Sequence, residues 1–588
     1  MAKVKDPQAT SPPQGCSRTK AEGAFIALAA GDALGWPQEF PNKVLGRTEQ
    51  PVTTAFRPWV RRGGGRFYPY EEHIQAGEYS DDTQLALAVA RCRMYGDKSW
   101  WRVLTRTELP LWTLYERGGG GATKWAAEMW IKKTPPWKAN DLLAIRRYFD
   151  AGGNGVSMRI LPHSIFYASQ ADPTLLVRDV VLDGVATHGH PRALVGAAAY
   201  AFAAWWLLRS NRTIRFGELV EVLRESAGVW GELPASSNAR NGWLDAANRS
   251  TTNGYENLWS TVVDEMGKLL DRVQGALEAG ALADDDEVLR DLGCFGKAKG
   301  AGTVSAAAAV YLCARYAAQP VQAVLRAGFA KRADTDTIAA MSGGLVGCLA
   351  GKDWLPREWT ELQDYTYLRR MSNELARGPS AAQDRPSNLR TIGRKELDGL
   401  RSTLAEGHSR DLDLDGKRRA EVVDSVSPKP LSKTTLAHVW MLRTSDGQTI
   451  YVTKLGRKAQ PDEVPAARAQ PLGSLAMPKT VRRAASAAPL QEMTAEPLPR
   501  VPNAATDDAV ARGLIARRNP VIEGIRRKDR AEAVLAVLEA RELNLPENLR
   551  RRILATTDLD LLRCWLKRAS VVTCAEEILD DQARTPRP

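Results

Sequence analysis

Two short stretches carry residues able to do chemistry: Tyr79-Ser80-Asp81-Asp82-Thr83 and, far downstream, Asp334-Thr335-Asp336-Thr337. Each interleaves a pair of carboxylates with hydroxyls at the start of an apolar helical pattern. Leu85, Ala88, Val89 and Cys92 follow the first, and Ile338, Met341, Leu345 and Cys348 follow the second. One such cluster is what a helix N-terminus favours, because Asp, Ser and Thr satisfy free amides and meet the positive end of the dipole. Two of the same design hold more carboxylates than capping requires, and like charges gathered in a cleft repel unless something neutralises them. A hard divalent cation would do so. Magnesium takes oxygen ligands, which carboxylates and hydroxyls supply without Cys or His, so zinc does not fit.

The elements that must position these clusters are helical. Ala21 to Ala30 is apolar and rich in small residues, and it runs into Gly31-Asp32, where a carboxylate near a helix end requires a partner unless it is a turn residue. Pro37 is expected to end this helix and leave Glu39 on a loop, able to ligate, gate or take a proton from water. Residues 41–79 read as a long connection with Gly63-Gly64-Gly65 and many aromatics, either a lid or an aromatic cluster over the core. Gly118 to Gly121 is either a phosphate-binding loop or a flexible connection. Gly152-Gly153-Asn154-Gly155-Val156-Ser157-Met158-Arg159 allows backbone amides to approach an anion, with a plain turn as the alternative. The pair in Thr187-His188-Gly189-His190 lacks a third soft ligand, which argues against a histidine metal site. From Arg192 to about Gly351 the pattern stays helical, and the fold class expected is all-α.

Gly31-Asp32-Ala33-Leu34-Gly35 with Glu39, Ser80-Asp81-Asp82-Thr83 and Asp334-Thr335-Asp336-Thr337, in this order and at this spacing, resemble the ADP-ribosylglycohydrolase family over residues 20 to 375, in particular dinitrogenase reductase-activating glycohydrolase-like members. The resemblance implies an all-α domain whose two Mg2+ ions, with Mn2+ as a substitute, serve to remove ADP-ribose from a modified target. The metal ligands implied are Ser80, Asp81, Asp82, Asp334, Asp336 and Thr337, with Glu39 as a mobile contributor, and the catalytic residues Glu39, Asp81, Asp82 and Asp336. Five carboxylates carry a formal −5 that two magnesium ions nearly cancel. The Gly-Asn-Gly segment implies contacts to ADP-ribose from Gly153, Asn154, Gly155, Ser157 and Met158, and the Thr-His segment one from His188. Lys331-Arg332-Ala333 stands where members often have Gly-Gly, which puts the local backbone in question.

A chain of 588 residues, 44% hydrophobic and 26% charged, suits more than one folded unit. Seven Cys without a CxxC pair read as reduced thiols in a cytoplasmic protein. Met1 to Lys20 has no apolar stretch of a signal peptide, and Ala193 to Leu208 is too short to span a bilayer, so no membrane association is expected. The net charge of +12 is spread among acidic residues and selects no partner.

The organisation expected is a disordered tail (1–18), a catalytic domain (19–375), a linker (376–430), a β-hairpin or small β module (431–458) turning at Asp446-Gly447, an Ala/Pro-rich linker (459–510) and a helical interaction module (511–588). Ala531 to Asp580 resembles the helical tail of Rpn-type transposase-related proteins, which suggests a protein partner or self-association. Its Arg550-Arg551-Arg552 leaves contact with nucleic acid open, although a solvated helix face is the simpler account. The function expected is magnesium-dependent hydrolysis of the bond between ADP-ribose and a modified acceptor, protein and arginine foremost. The alternatives are a catalytically silent binder of the same fold and a nucleic-acid-associated protein acting through its basic tail.

Overall fold

In the computed structural model the described residues are 17–46, 51–234, 242–379, 389–407 and 411–457, and, with some positions omitted, 531–579. The chain divides into two units, 1–458 and 459–588. The helices that carry the core and the cavity of the first unit are α1 (Arg18–Glu39), α2 (Asp81–Arg93), α3 (Gly121–Ile131), α4 (Pro191–Arg209), α5 (Gly302–Arg315), α6 (Thr335–Ala350), α7 (Tyr365–Leu375) and α8 (Arg394–Glu406). It is predominantly helical, as the sequence predicts.

Helix α1 is buried on every face from Ala21 to Gln38, the mark of a central helix and not of an amphipathic surface one. It lies antiparallel against α6 with the two backbones in contact. A Cβ on Gly31 would stand 2.3 Å from the Ala339 carbonyl oxygen, and one on Gly343 would stand 2.2 Å from that of Ala27. The same approach at Gly35 meets Thr335, whose hydroxyl donates to the Gly35 carbonyl at 2.8 Å. The end of α1 is thereby brought beside the start of α6. Helix α4, apolar and buried, packs in the same way on α5, where Gly196 meets Gly302. No helix among the described residues is long and apolar enough to cross a membrane.

Pro37 lies inside α1 and does not end it, so Glu39 stands on the final helical turn and not on a loop. Two residues from the end, the missing proline N–H removes one bond from a turn already short of partners. Within 41–79 the chain forms a β-hairpin, β1 (Trp59–Gly63) and β2 (Tyr70–Ile74), with Trp59 opposite Ile74 and Gly63 opposite Tyr70. Its alternation is masked in sequence by Arg61, Arg62, Glu71 and Glu72, all of polar type but of differing burial.

The stretch 376–430, expected to be a linker, contains α8 and two strands, β3 (Asp411–Asp413) and β4 (Arg419–Val426). With β5 (Thr435–Thr444) and β6 (Thr449–Arg457) they form an antiparallel sheet in the order β3-β4-β5-β6. The expected turn is there, and Gly447 takes the positive φ of +96° that it requires. Helix α8 is held by a sparse apolar set, Leu397 and Leu404, too thin to read against its charged neighbours. The sheet belongs to the same compact unit as the helices, joined through Arg91 to Gln448 (2.9 Å), Tyr367 to Asp446 (2.8 Å) and Arg418 to Glu108 (3.1 Å).

In the second unit α9 (Glu547–Ala555) and α10 (Leu559–Ala569) bury Leu549, Ile553, Leu562 and Trp565. Asp558 accepts from the Leu561 amide at 3.1 Å and caps α10. The expected tail 1–18, apart from Ser17 and Arg18, and the Ala/Pro-rich linker 459–510 lie outside the described residues.

The α1–α6 contact leaves no room for a methyl group. Gly343→Ala is expected to destabilise the protein by roughly 1–3 kcal/mol, measured as a lowered midpoint of chemical unfolding. A neutral effect would show that the helices can separate.

Candidate active site

Asp32, fully buried in α1, sets the start of α2. Its carboxylate accepts from the Ser80 amide (3.0 and 3.1 Å), the Thr83 amide (3.0 Å) and the Thr83 hydroxyl (2.7 Å). The Asp32 oxygens thus take up amides that a capping side chain would otherwise accept from, and Asp81 and Asp82 are left to project elsewhere. Burial pushes the Asp32 carboxyl up, and the hydrogen bonds from Thr83 and Ser80 oppose the shift.

The projected residues meet in a cavity of about 400 Å³. Glu39 from α1, Asp81 and Asp82 from α2, and Asp334, Asp336 and Thr337 from the start of α6 line it. Carboxylate oxygens of Glu39, Asp334 and Asp336 lie within 4.8 Å of one another, close enough to hold a metal ion. Asp82 Oδ1 is buried with no hydrogen-bond partner among the described residues. Ser80 is not on the cavity wall, and its hydroxyl accepts from the Asp82 amide at 3.4 Å as a cap.

The opposite wall is the 152–159 turn, clamped to α5 by Asn154 N–H to Gly300 O (2.8 Å) and Gly302 N–H to Gly152 O (3.0 Å). Gly153, Asn154, Gly155 and Met158 face the cavity, whereas Ser157 is fully buried behind it. Asn154 Nδ2 donates to both Ser305 and Asp334 Oδ2 at 2.9 Å, so this amide holds an acidic ligand candidate and not an incoming molecule. His188 completes the wall, and its Nδ1 lies 2.8 Å from Thr187 Oγ1. Arg159, fully buried, donates to Gly155 O (2.8 Å), to Thr187 Oγ1 (2.9 Å) and to Asp183 (2.8 Å). Burial, with Arg159 second, pushes the His188 imidazole down to about 3.

Sequence reasoning missed Phe40 and Lys43, which also line the cavity, the Lys43 ammonium sitting 3.5 Å over the Phe40 ring. Only the position of Lys43 four residues after Glu39 could have signalled it. Gly118 to Gly121 do reach the wall. Gly118 needs to be glycine, with φ +104° and a Cβ position only 2.9 Å from Asp81 Oδ1. Arg332 keeps a left-handed φ of +76° without being glycine, so the turn before Asp334 persists under strain.

Buried, crowded carboxylates hold their protons, and here the nearby Lys43 and Lys124 only partly oppose this. Burial first, then Asp334 and Asp81, pushes Glu39 up to about 8. Burial, then Glu116 and Asp32, does the same to Asp81. Asp82 and Asp336 are also raised, by burial first and then by the acids around them. A set made only of oxygen donors, one of them unpartnered, is chemically suited to a hard divalent cation.

Two outcomes are expected. Without a cation, the folded protein holds more protons than the unfolded chain between the ordinary carboxylate range near ~4 and about 8. Its stability should therefore fall as pH rises through that window. A cation that binds the ionised set offsets the loss, so the melting temperatures with divalent cation and with chelator should diverge as pH increases. A constant gap would refute this. Second, Arg332→Gly should stabilise the protein by roughly 1 kcal/mol, read by denaturant unfolding, because it removes a left-handed side-chain residue.

ADP-ribosylarginine hydrolase Tri1 of Serratia proteamaculans (strain 568) is 27% identical over 207 residues, 34% of this chain and 50% of that protein. The ADP-ribosyl-dinitrogen reductase glycohydrolase of Rhodospirillum rubrum is 28% identical over 184 residues, 29% of this chain and 52% of that protein. The chain thus spans about half the length of these two curated relatives. A solved structure described as an ADP-ribosylglycohydrolase-related protein complex aligns with a TM-score of 0.40 and 20% identity, covering 62% of this chain and 98% of that one. The sequence profile of the ADP-ribosylglycohydrolases matches residues 15–385, well over half of the chain, and the protein belongs to the ADP-ribosylglycohydrolase family.

Proposed function

We propose that the protein is a magnesium-dependent hydrolase that releases ADP-ribose from a modified protein side chain in the cytoplasm, with arginine as the first acceptor to test. The observation that supports this reading most directly is the convergence of Glu39, Asp334 and Asp336 with Asp81 and Asp82 on one wall of a cavity whose other wall offers glycine amides and His188. Arginine is favoured because relatives named as ADP-ribosylarginine hydrolases match this chain.

Two magnesium ions would be held by these five carboxylates with Thr337, Mn2+ serving as a substitute. Bound there, they would supply positive charge towards ribose hydroxyls and lower the pKa of water. Ser80 contributes by capping α2, which holds Asp81 and Asp82 at the wall. Gly153 and Gly155 let a diphosphate come close to the turn. Met158 gives the sugar an apolar contact, and His188, neutral across the working pH range, hydrogen-bonds the ligand without adding charge. Glu39, which lines the cavity, would take the proton of the attacking water at its carboxylate and return it to the leaving group. Asn154 holds Asp334 in register.

ADP-ribose release from arginine-modified protein is expected to require magnesium, to stop with chelator, and to fall by ~10²-fold or more in Asp336→Ala, with far-ultraviolet dichroism unchanged. Undiminished release by the variant would defeat the assignment. Release from another acceptor and none from arginine would correct the substrate and leave the chemistry standing.

A further inference from the structure

Residues 389–457 fall beyond the stretch that matches the family, yet they form part of the compact unit that holds the cavity. Their sheet reaches the cavity loop through a continuous buried chain of charges. The Tyr451 phenol on β6 donates to Glu78 Oε1. Glu78 Oε2 accepts from Arg117 Nη1 at 2.8 Å, and Arg117 Nε donates to Glu72 Oε1 at 3.0 Å. Glu72 Oε2 accepts in turn from Arg61 Nε at 2.6 Å on the hairpin. The Arg117 guanidinium also lies over the Tyr451 ring at 4.2 Å and over Trp36 at 5.6 Å. Two acids and two guanidinium groups balance in charge, so the burial of Glu72, Glu78 and Arg117 leaves none of them uncompensated.

Arg117 is followed directly by Gly118, which abuts Asp81 and Trp36, and Gly118 to Gly121 form part of the cavity wall. Further bonds keep the sheet from sliding. Glu71 N–H donates to Lys429 O at 2.9 Å, and Leu431 N–H donates to Pro69 O at 2.8 Å, joining the sheet's β4–β5 connection to the β1–β2 hairpin.

We propose that this sheet is an added brace of the catalytic unit, and that Tyr451, acting through Glu78 and Arg117, is a positioning residue for the Gly118–Gly121 wall. The wall's importance to ADP-ribose rests on the functional reading above, whereas the brace itself does not. The sheet holds Arg117 from one side, the hairpin holds it from the other, and the glycine loop inherits its place from that clamp. No side chain within the glycine run does this.

The test uses the full chain with Tyr451→Phe, which keeps the ring under Arg117 and removes the donor to Glu78, and with Glu78→Gln as a second variant. Amide hydrogen exchange across 118–122 is expected to speed up by roughly tenfold in both, with α2 and α6 unchanged. ADP-ribose affinity by calorimetry should weaken by a similar factor, and kcat on the modified protein should change far less than KM. Unchanged exchange at 118–122, or faster exchange spread evenly over the whole unit, would overturn the brace. If wild type fails to bind ADP-ribose, the functional reading falls and the exchange result still decides the proposal.

Discussion

The contact on which the site depends is backbone against backbone. Because Gly31, Gly35, Gly343 and Gly347 carry no side chains, α1 and α6 approach until main-chain atoms touch, and the end of one helix comes to lie beside the start of the other. Any wider spacing would separate Glu39 from Asp334 and Asp336 and dissolve the carboxylate trio. Asp32 does comparable work from the same helix, taking up the amides of Ser80 and Thr83 so that α2 presents its two acids to the cavity. One buried helix thus positions both acidic clusters, one through glycine and one through a carboxylate.

That arrangement stores electrostatic repulsion in a fold whose net stability is small. Burial and chain entropy oppose each other in a domain of this kind and leave a net stability on the order of ~10 kcal/mol. Burial first and crowding of acids second raise Glu39 and Asp81 to about 8, a substantial burden on the cation-free state once these groups ionise. The apolar packing of α1, α4, α5 and α6 bears it and fixes where the acids stand. Such preorganisation is what a catalyst needs where charge develops during reaction.

Much of this is legible in the chain itself. Paired acids with hydroxyls ahead of apolar helical spacing announce both helix starts, and the small-residue runs around Ala193 to Leu208 and Ala306 to Ala309 announce the core helices. The misreadings have physical causes. Pro37 signals termination in a local reading, but so near the end of α1 it deletes a single bond. Asn154 faces the cavity, and the commitment of its Nδ2 to Asp334, 180 positions away, has no local signal because tertiary structure alone sets it. The same holds for Arg159 behind the turn. The segment 376–430 looks like a linker because α8 and β4 bury only a few residues each and lean on a body the sequence does not display.

His188 carries a consequence of its own. An imidazole kept uncharged to about pH 3 by burial and by Arg159 responds to direction and not to charge. Arg159 already donates to Thr187 Oγ1, so the Thr187 hydroxyl hydrogen is best used on Nδ1, and the remaining N–H of the ring sits on Nε2. The wall therefore offers a fixed donor whose recognition is geometric. Acidification from about pH 8 to about pH 5, the span over which an ordinary histidine changes charge, leaves this imidazole neutral and its donor in place.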